Sequence, residues 1–100
     1  MKQMVEIFIN NKPITTEVDT GCPIILIGAQ LYRRYFANSQ LEQAHRSLSD
    51  ASGNKLEILG SFAATISSKK RSGTVTIFVQ EGNRQIPLLG TSALDILFPA

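Results

Sequence analysis

The stretch Ile14-Thr15-Thr16-Glu17-Val18-Asp19-Thr20-Gly21-Cys22-Pro23-Ile24-Ile25-Leu26-Ile27-Gly28 decides the fold. Its first part, Ile14 to Val18, is rich in β-branched residues and reads as a strand. That strand runs directly into Asp19-Thr20-Gly21, so the triplet sits at a strand end. Ile24 to Ile27 is a short continuous apolar run suited to a strand buried on both faces, and Gly28 closes it. Alone the triplet means little, because average residue usage gives Asp-Thr-Gly by chance in roughly two of every hundred chains this long. Its surroundings have to carry the inference.

Toward the N-terminus, Val5, Ile7 and Ile9 alternate with Glu6, Phe8 and Asn10, the period-two pattern of a strand. Asn10-Asn11-Lys12-Pro13 supplies turn residues, which makes a hairpin whose second arm is Ile14 to Val18. Beyond Gly28 the period changes. Leu31, Tyr32, Tyr35 and Phe36 share one side of a helix between Ala29 and Phe36, with Arg33 and Arg34 on the other. Asn38 to Ala44 has Leu41 as its one strong apolar anchor and reads as a loop or helical turn.

From Arg46 onward the chain reads as a hairpin with Ser49-Asp50-Ala51-Ser52-Gly53-Asn54 at its tip, because these small, turn-forming residues cannot build a core. Leu56, Ile58, Phe62, Ala64 and Ile66 then continue as a long strand, bent or bulged at Gly60. Val75, Ile77 and Val79 mark another strand, Glu81-Gly82-Asn83 a turn, and Ile86 to Leu89 a last buried strand ended by Gly90. Thr91 or Ser92 can cap a closing helix through Ile96, with Ala93, Leu94 and Leu97 on its apolar face. The expected architecture is one mostly-β domain over residues 1–100 with one or two short helices.

Bulk properties exclude several functions. The 100 residues suit one core and not two. With 43% hydrophobic and 18% charged residues the composition is that of an ordinary globular domain, and no apolar run approaches the roughly 20 residues a membrane helix needs. The N-terminal segment lacks the apolar core and cleavage site of a secretory leader. Net charge is +2, and its one basic cluster, Lys69-Lys70-Arg71, reads as a solvated turn. A nucleic-acid surface would want a larger basic stripe with interleaved aromatics. A lone Cys22 forms no internal disulfide and, with His45 as the only histidine, offers no structural zinc set, so neither metal nor cofactor is expected.

Taken together, Val5 to Val18, Asp19 to Gly21, Arg46 to Leu59 and Leu88-Leu89-Gly90 before a final helix resemble, in order and spacing, the retroviral aspartic proteases, or retropepsins, and their retrotransposon relatives. The resemblance covers nearly the whole chain. It implies a closed β-barrel acid-protease fold with a flap hairpin, and an endopeptidase working as a homodimer on peptide segments of a polyprotein in the cytoplasm or a virus-like particle. A chain of this length carries one aspartate motif, so the second aspartate must come from another copy. The resemblance also has the Thr20 hydroxyl bonding across the dimer axis.

Elementary chemistry asks for these residue types independently. Peptide hydrolysis without metal or covalent nucleophile needs a base to activate water and an acid to protonate the leaving amine. Two carboxylates about 3 Å apart cannot both ionise cheaply, so they share one proton and titrate as a unit. A two-fold axis between two copies of Asp19 makes that pair from one sequence. Gly21 keeps side-chain bulk away from the carboxylate. The structural alternative for Asp19 is a turn residue after a strand. Ser49, Ser52 and Ser61 lack a partner base beyond His45, which sits in a polar stretch.

Candidate substrate contacts follow from the same frame. Ile24, Leu26, Leu48, Ile86 and Leu88 would line side-chain pockets, or else serve as ordinary core. Asp50, Ala51, Ser52 and Gly53 would form the flap tip that closes over substrate, although any exposed hairpin tolerates glycine. Cys22, where the family more often has alanine or serine, reads as a small wall residue, the alternative being an oxidisable thiol beside the site. The sequence departs from the familiar pattern at Pro23-Ile24 and Thr91, where acidic residues and an arginine often brace the site. That departure, and the few residues outside Val5 and Gly90, set the expectation of a weaker or differently assembled dimer. The alternative function is a catalytically weak or inactive dimerisation or peptide-binding module, and a weaker one a nucleic-acid-associated β domain resting on Lys69-Lys70-Arg71.

Overall fold

Alternating apolar residues at the N-terminus produce the first hairpin. β1 (Met4–Ile9) pairs antiparallel with β2 (Lys12–Val18), Ile7 opposite Ile14 and Val5 opposite Thr16. These observations come from a computed structural model, which describes residues 2–44, 47–50, 52–82 and 84–100. The turn is tighter than the composition suggests: Asn10 and Asn11 take positive φ angles of 49° and 67°, while Lys12 and Pro13 already belong to β2. Two left-handed residues match the twist of a two-residue hairpin, and asparagine tolerates that conformation well.

β3 (Ile25–Gly28) is buried along its whole length, as its unbroken apolar run requires. α1 (Ala29–Tyr35) follows at once, and Phe36, just past its end, is buried. Tyr35 departs from expectation. It is 37% exposed, with the Arg34 guanidinium 5.3 Å from its ring centre, because the apolar face of so short a helix is filled by Leu31, Tyr32 and Phe36. Tyr32 and Phe36 each pack on Phe62 at 5.5 Å between ring centroids. The segment after α1 is a loop, as expected, tied to the barrel by a two-way backbone bridge between Glu42 and Ser61.

β4 (Ile58–Ser67) and β5 (Ser72–Gln80) form the long hairpin, with a register shift between Ile58 and Gly60 at the anticipated bulge. Leu56 lies before β4, in the preceding hairpin. The last strand is shorter than its apolar sequence implied: β6 is only Leu88–Leu89, Pro87 is fully buried, and Ile86 is 40% exposed. A proline cannot extend the ladder on its N–H side, so strand alternation does not carry back to Ile86. α2 (Thr91–Leu97) closes the chain.

The six strands form a closed barrel in the order β1-β2-β6-β3-β5-β4, with β4 returning to β1 through Phe8–Ser67 and Ile9–Ile66. Its interior holds Ile7, Ile9, Ile25, Ile27, Ile66, Ile77, Val79 and Leu89, each with essentially no exposure. Closure removes free sheet edges. Thr16 is the one polar residue among this set, and its hydroxyl donates to the Val5 carbonyl at 2.8 Å. Among the described residues, no helix is long and apolar enough to cross a membrane.

Candidate active site

Tiny β6 is the part of the barrel that builds the site. It pairs parallel with β2, Glu17 beside Leu88 and Val18 beside Leu89, and antiparallel with β3, Leu26 beside Leu88. The ends of β2, β3 and β6 are thereby gathered around the loop Asp19 to Ile24. The Asp19 N–H donates to the Leu89 carbonyl at 3.1 Å, and the Gly21 N–H donates to Asp19 Oδ1 at 3.0 Å. One carboxylate oxygen is therefore anchored by its own loop, and Asp19 stays half-buried at the cleft floor.

That loop is strapped to α2. Thr91 N–H donates to the Cys22 carbonyl at 2.8 Å and Ser92 N–H to the Pro23 carbonyl at 3.2 Å. The anticipated side-chain cap from Thr91 or Ser92 is absent; Gly90 occupies the N-cap position, without a side-chain cap bond. The physical reason is that loop carbonyls already satisfy the first helical donors, so no hydroxyl is needed. Close approach makes glycine compulsory here. A Cβ at position 90 would lie 2.1 Å from the Ile24 carbonyl oxygen and 2.4 Å from that of Cys22. At Gly21, by contrast, a Cβ would meet nothing nearer than Asp19 Oδ1 at 3.4 Å, an ordinary contact, so crowding within one protomer does not demand glycine there.

A cleft of about 520 Å³ opens above Asp19. It brings together Asp19, Gly21, Cys22, Ile24, Leu26, Leu48, Asp50 and Leu88 from the expected set. Thr20 is exposed beside it, and its hydroxyl has no partner among the described residues. Ser52 and Gly53 are exposed and outside the cleft lining, and Ala51 lies outside the described residues. Ile86 is not part of this cleft; it lines an adjoining shallow depression with Lys2 and Gln85 that shares Glu17 and Arg84 with the cleft. The Cys22 thiol points toward the Ile24 carbonyl, 3.5 Å away.

The roof is the hairpin around Asp50. Leu56 N–H donates to the Leu48 carbonyl and Asp50 N–H to the Asn54 carbonyl, both at 2.8 Å, with Ser49 bridging Lys55. Asp50 organises the turn: its Oδ1 accepts from the backbone N–H groups of Ser52 and Asn54 at 2.9 Å, and its Oδ2 from the Asn54 amide at 3.3 Å. The Asn54 backbone N–H, opposed in part by desolvation and helped by the Asn54 amide and the Ser52 N–H, holds the Asp50 carboxyl below its ordinary value. Gly53 takes φ 84°, the left-handed conformation a turn of this kind needs.

Glu17, Pro23, Ser49, Leu56 and Arg84 also line the cleft, and motif reading missed them. A signal existed for Glu17: it is the penultimate residue of the strand that delivers Asp19. Arg84 carried none, since it reaches the cleft from a loop; its Nε donates to Gln80 Oε1 at 3.0 Å. Among the described residues, no three His, Cys, Asp or Glu side chains gather as a metal site.

No family model and no curated protein matches this sequence. Solved structures do. EIAV protease complexed with the inhibitor HBY-793 superimposes with a TM-score of 0.80 over 95% of this chain and 86% of that one, at 21% identity. The fold is the retropepsin fold. A retropepsin-like aspartic protease from Rickettsia conorii matches at TM-score 0.66 and 19% identity, covering 94% of this chain and 70% of that chain. The retroviral protease-like domain of Ddi1 from Leishmania major matches at TM-score 0.70 and 17% identity, over 95% and 76%. At these identities the likeness is one of fold.

Proposed function

We propose that the protein is an aspartic endopeptidase whose active unit is a homodimer, each copy contributing one Asp19. The observation that carries this reading is Asp19 at the floor of a peptide-sized, largely apolar cleft, anchored through one oxygen and roofed by a hairpin. An ionised carboxylate from one copy takes a proton from water as that water attacks the peptide carbonyl. The protonated carboxyl of the other copy then supplies the proton that the departing amine requires. The hairpin excludes bulk water and holds the chain extended. Segments of a parent polyprotein are the proposed substrates.

A second reading, a weak or inactive dimerisation or peptide-binding module, is favoured by one feature. Backbone bonds from Thr91 and Ser92 hold the site loop where an ion pair is absent, which secures the loop within a protomer without offering a charge to a partner. Concentrated protein at mildly acidic pH should cleave members of a mixed peptide library, and Asp19→Asn should not. Absence of cleavage, or equal cleavage by the variant, ends the protease reading. Sedimentation with and without a transition-state-mimicking peptide separates the two, since a protein that stays monomeric with ligand has only half a dyad.

A further inference from the structure

Two acidic groups in the cleft lining are not used by the hydrolytic chemistry; Asp50 is bonded within its own hairpin, which leaves Glu17. Glu17, next to last in β2, lines the cleft together with Asp19, and its pairing with Leu88 sets it against the cleft wall. Its side chain keeps only 21% of its exposure, yet its one side-chain partner among the described residues is Lys2, with Nζ 3.6 Å from Oε1. The Lys2 side chain is 79% exposed. A long contact to a solvated, flexible ammonium holds a carboxylate weakly.

The remaining charges in the cleft favour a cation. Among the described residues of the lining, Glu17, Asp19 and Asp50 outnumber the one base, Arg84, whose Nε donates to Gln80. Leu88 offers an apolar surface beside Glu17, and Leu56 lines the same cleft from the hairpin. Such a site suits a side chain with an aliphatic stem and a positive head, the stem lying on the leucines and the head meeting the carboxylate. A guanidinium can bond both oxygens of Glu17 at once, and an ammonium can replace Lys2 at shorter range.

Resting on the protease reading, we propose that Glu17 is a specificity-determining residue that selects substrate peptides carrying Lys or Arg at the position seated over Glu17 and Leu88. The substrate class is then an extended segment with apolar residues about the scissile bond and one basic residue near it, not an all-apolar one.

Paired peptides identical except for Lys against norleucine, scanned through the positions flanking the cleaved bond, test this with wild-type protein, Glu17→Gln and Glu17→Lys. At one position the wild type should favour Lys in kcat/KM by on the order of tenfold, as a charge-assisted bond at a partly covered site allows. Glu17→Gln should bring that ratio toward one, and Glu17→Lys should reverse it when Glu replaces Lys in the peptide. The wild-type ratio should also shrink as salt is raised, a measurement that needs no variant. Cleavage with no Lys preference at any position, or a preference that survives Glu17→Gln, overturns the inference while leaving the protease standing. If no peptide is cleaved even at high protein concentration, both readings fall together.

Discussion

Floor and roof of the same cleft are built on opposite principles. The floor, Asp19 to Ile24, is fixed by long-range contacts: Asp19 to Leu89, Cys22 to Thr91, Pro23 to Ser92, all backed by the buried strands β3 and β6. The roof, the hairpin from Leu48 to Leu56, is held by contacts within itself, centred on an exposed carboxylate and, among the described residues, without a fully buried side chain. A chain segment that buries little and bonds locally opens at low cost, whereas one tied to the core opens only with the core. The difference is the one the proposed protease would need, a fixed floor for its carboxylate and a roof that can open for a peptide.

The largest effect should come from the floor's chemistry without touching its structure. Asn at position 19 can still accept the Gly21 N–H, so Asp19→Asn should leave the unfolding midpoint unchanged while kcat falls by at least about a thousandfold. Loss of fold along with activity would mean that Asp19 is a structural turn residue. Next comes Gly90→Ala, which drives a methyl group into the Ile24 and Cys22 carbonyls; crowding against backbone cannot be relieved by a rotamer change, and we expect a loss of about 3 kcal/mol in urea unfolding. Stability unchanged by this substitution would show that the strap between α2 and the site loop is looser than the floor's description requires. Thr16→Val, which deletes the buried hydroxyl bonded to Val5, should cost about 1 kcal/mol by the same measurement.

The floor and the roof were also unequally legible in the sequence. Alternation at Val5, Ile7 and Ile9 and the apolar run Ile24 to Ile27 fixed the strands because burial demands a period, and the triplet between them stood out as polar residues where a core should continue. Which residues would face the cleft was harder to read. Ile86 looked equivalent to Leu88, but Pro87 interrupts the strand and leaves Ile86 in solvent. Thr91 and Ser92 looked like capping hydroxyls, but the cap is supplied by carbonyls from a loop some 70 residues earlier, which no local pattern announces. Arg84 and Leu56 likewise reach the cleft through the fold's closure rather than through their neighbours. The tip residues Ser52, Gly53 and Asn54 were recognisable as a turn from their types alone, since a turn is a local object.

The smallest expected effect belongs to the roof and concerns pH. Asp50 has its carboxyl held below the ordinary 3.8 by the backbone N–H of Asn54, together with the Asn54 side chain and the Ser52 N–H. A group whose folded value is depressed adds order above its unfolded value and loses it as pH falls through the folded one. The hairpin should therefore be fully organised at mildly acidic pH and loosen only below 3.8, while the barrel floor, tied by backbone bonds, does not follow. Amide exchange at Ser52 and Asn54 should accelerate over that range relative to amides of β4 and β5, and Asp50→Ala should show the faster exchange at every pH, raising KM more than it lowers kcat. Protection that is already lost near neutrality, or a hairpin that holds unchanged in strong acid, would mean that something other than this carboxylate organises the roof, and the contrast with the floor would then rest on burial alone.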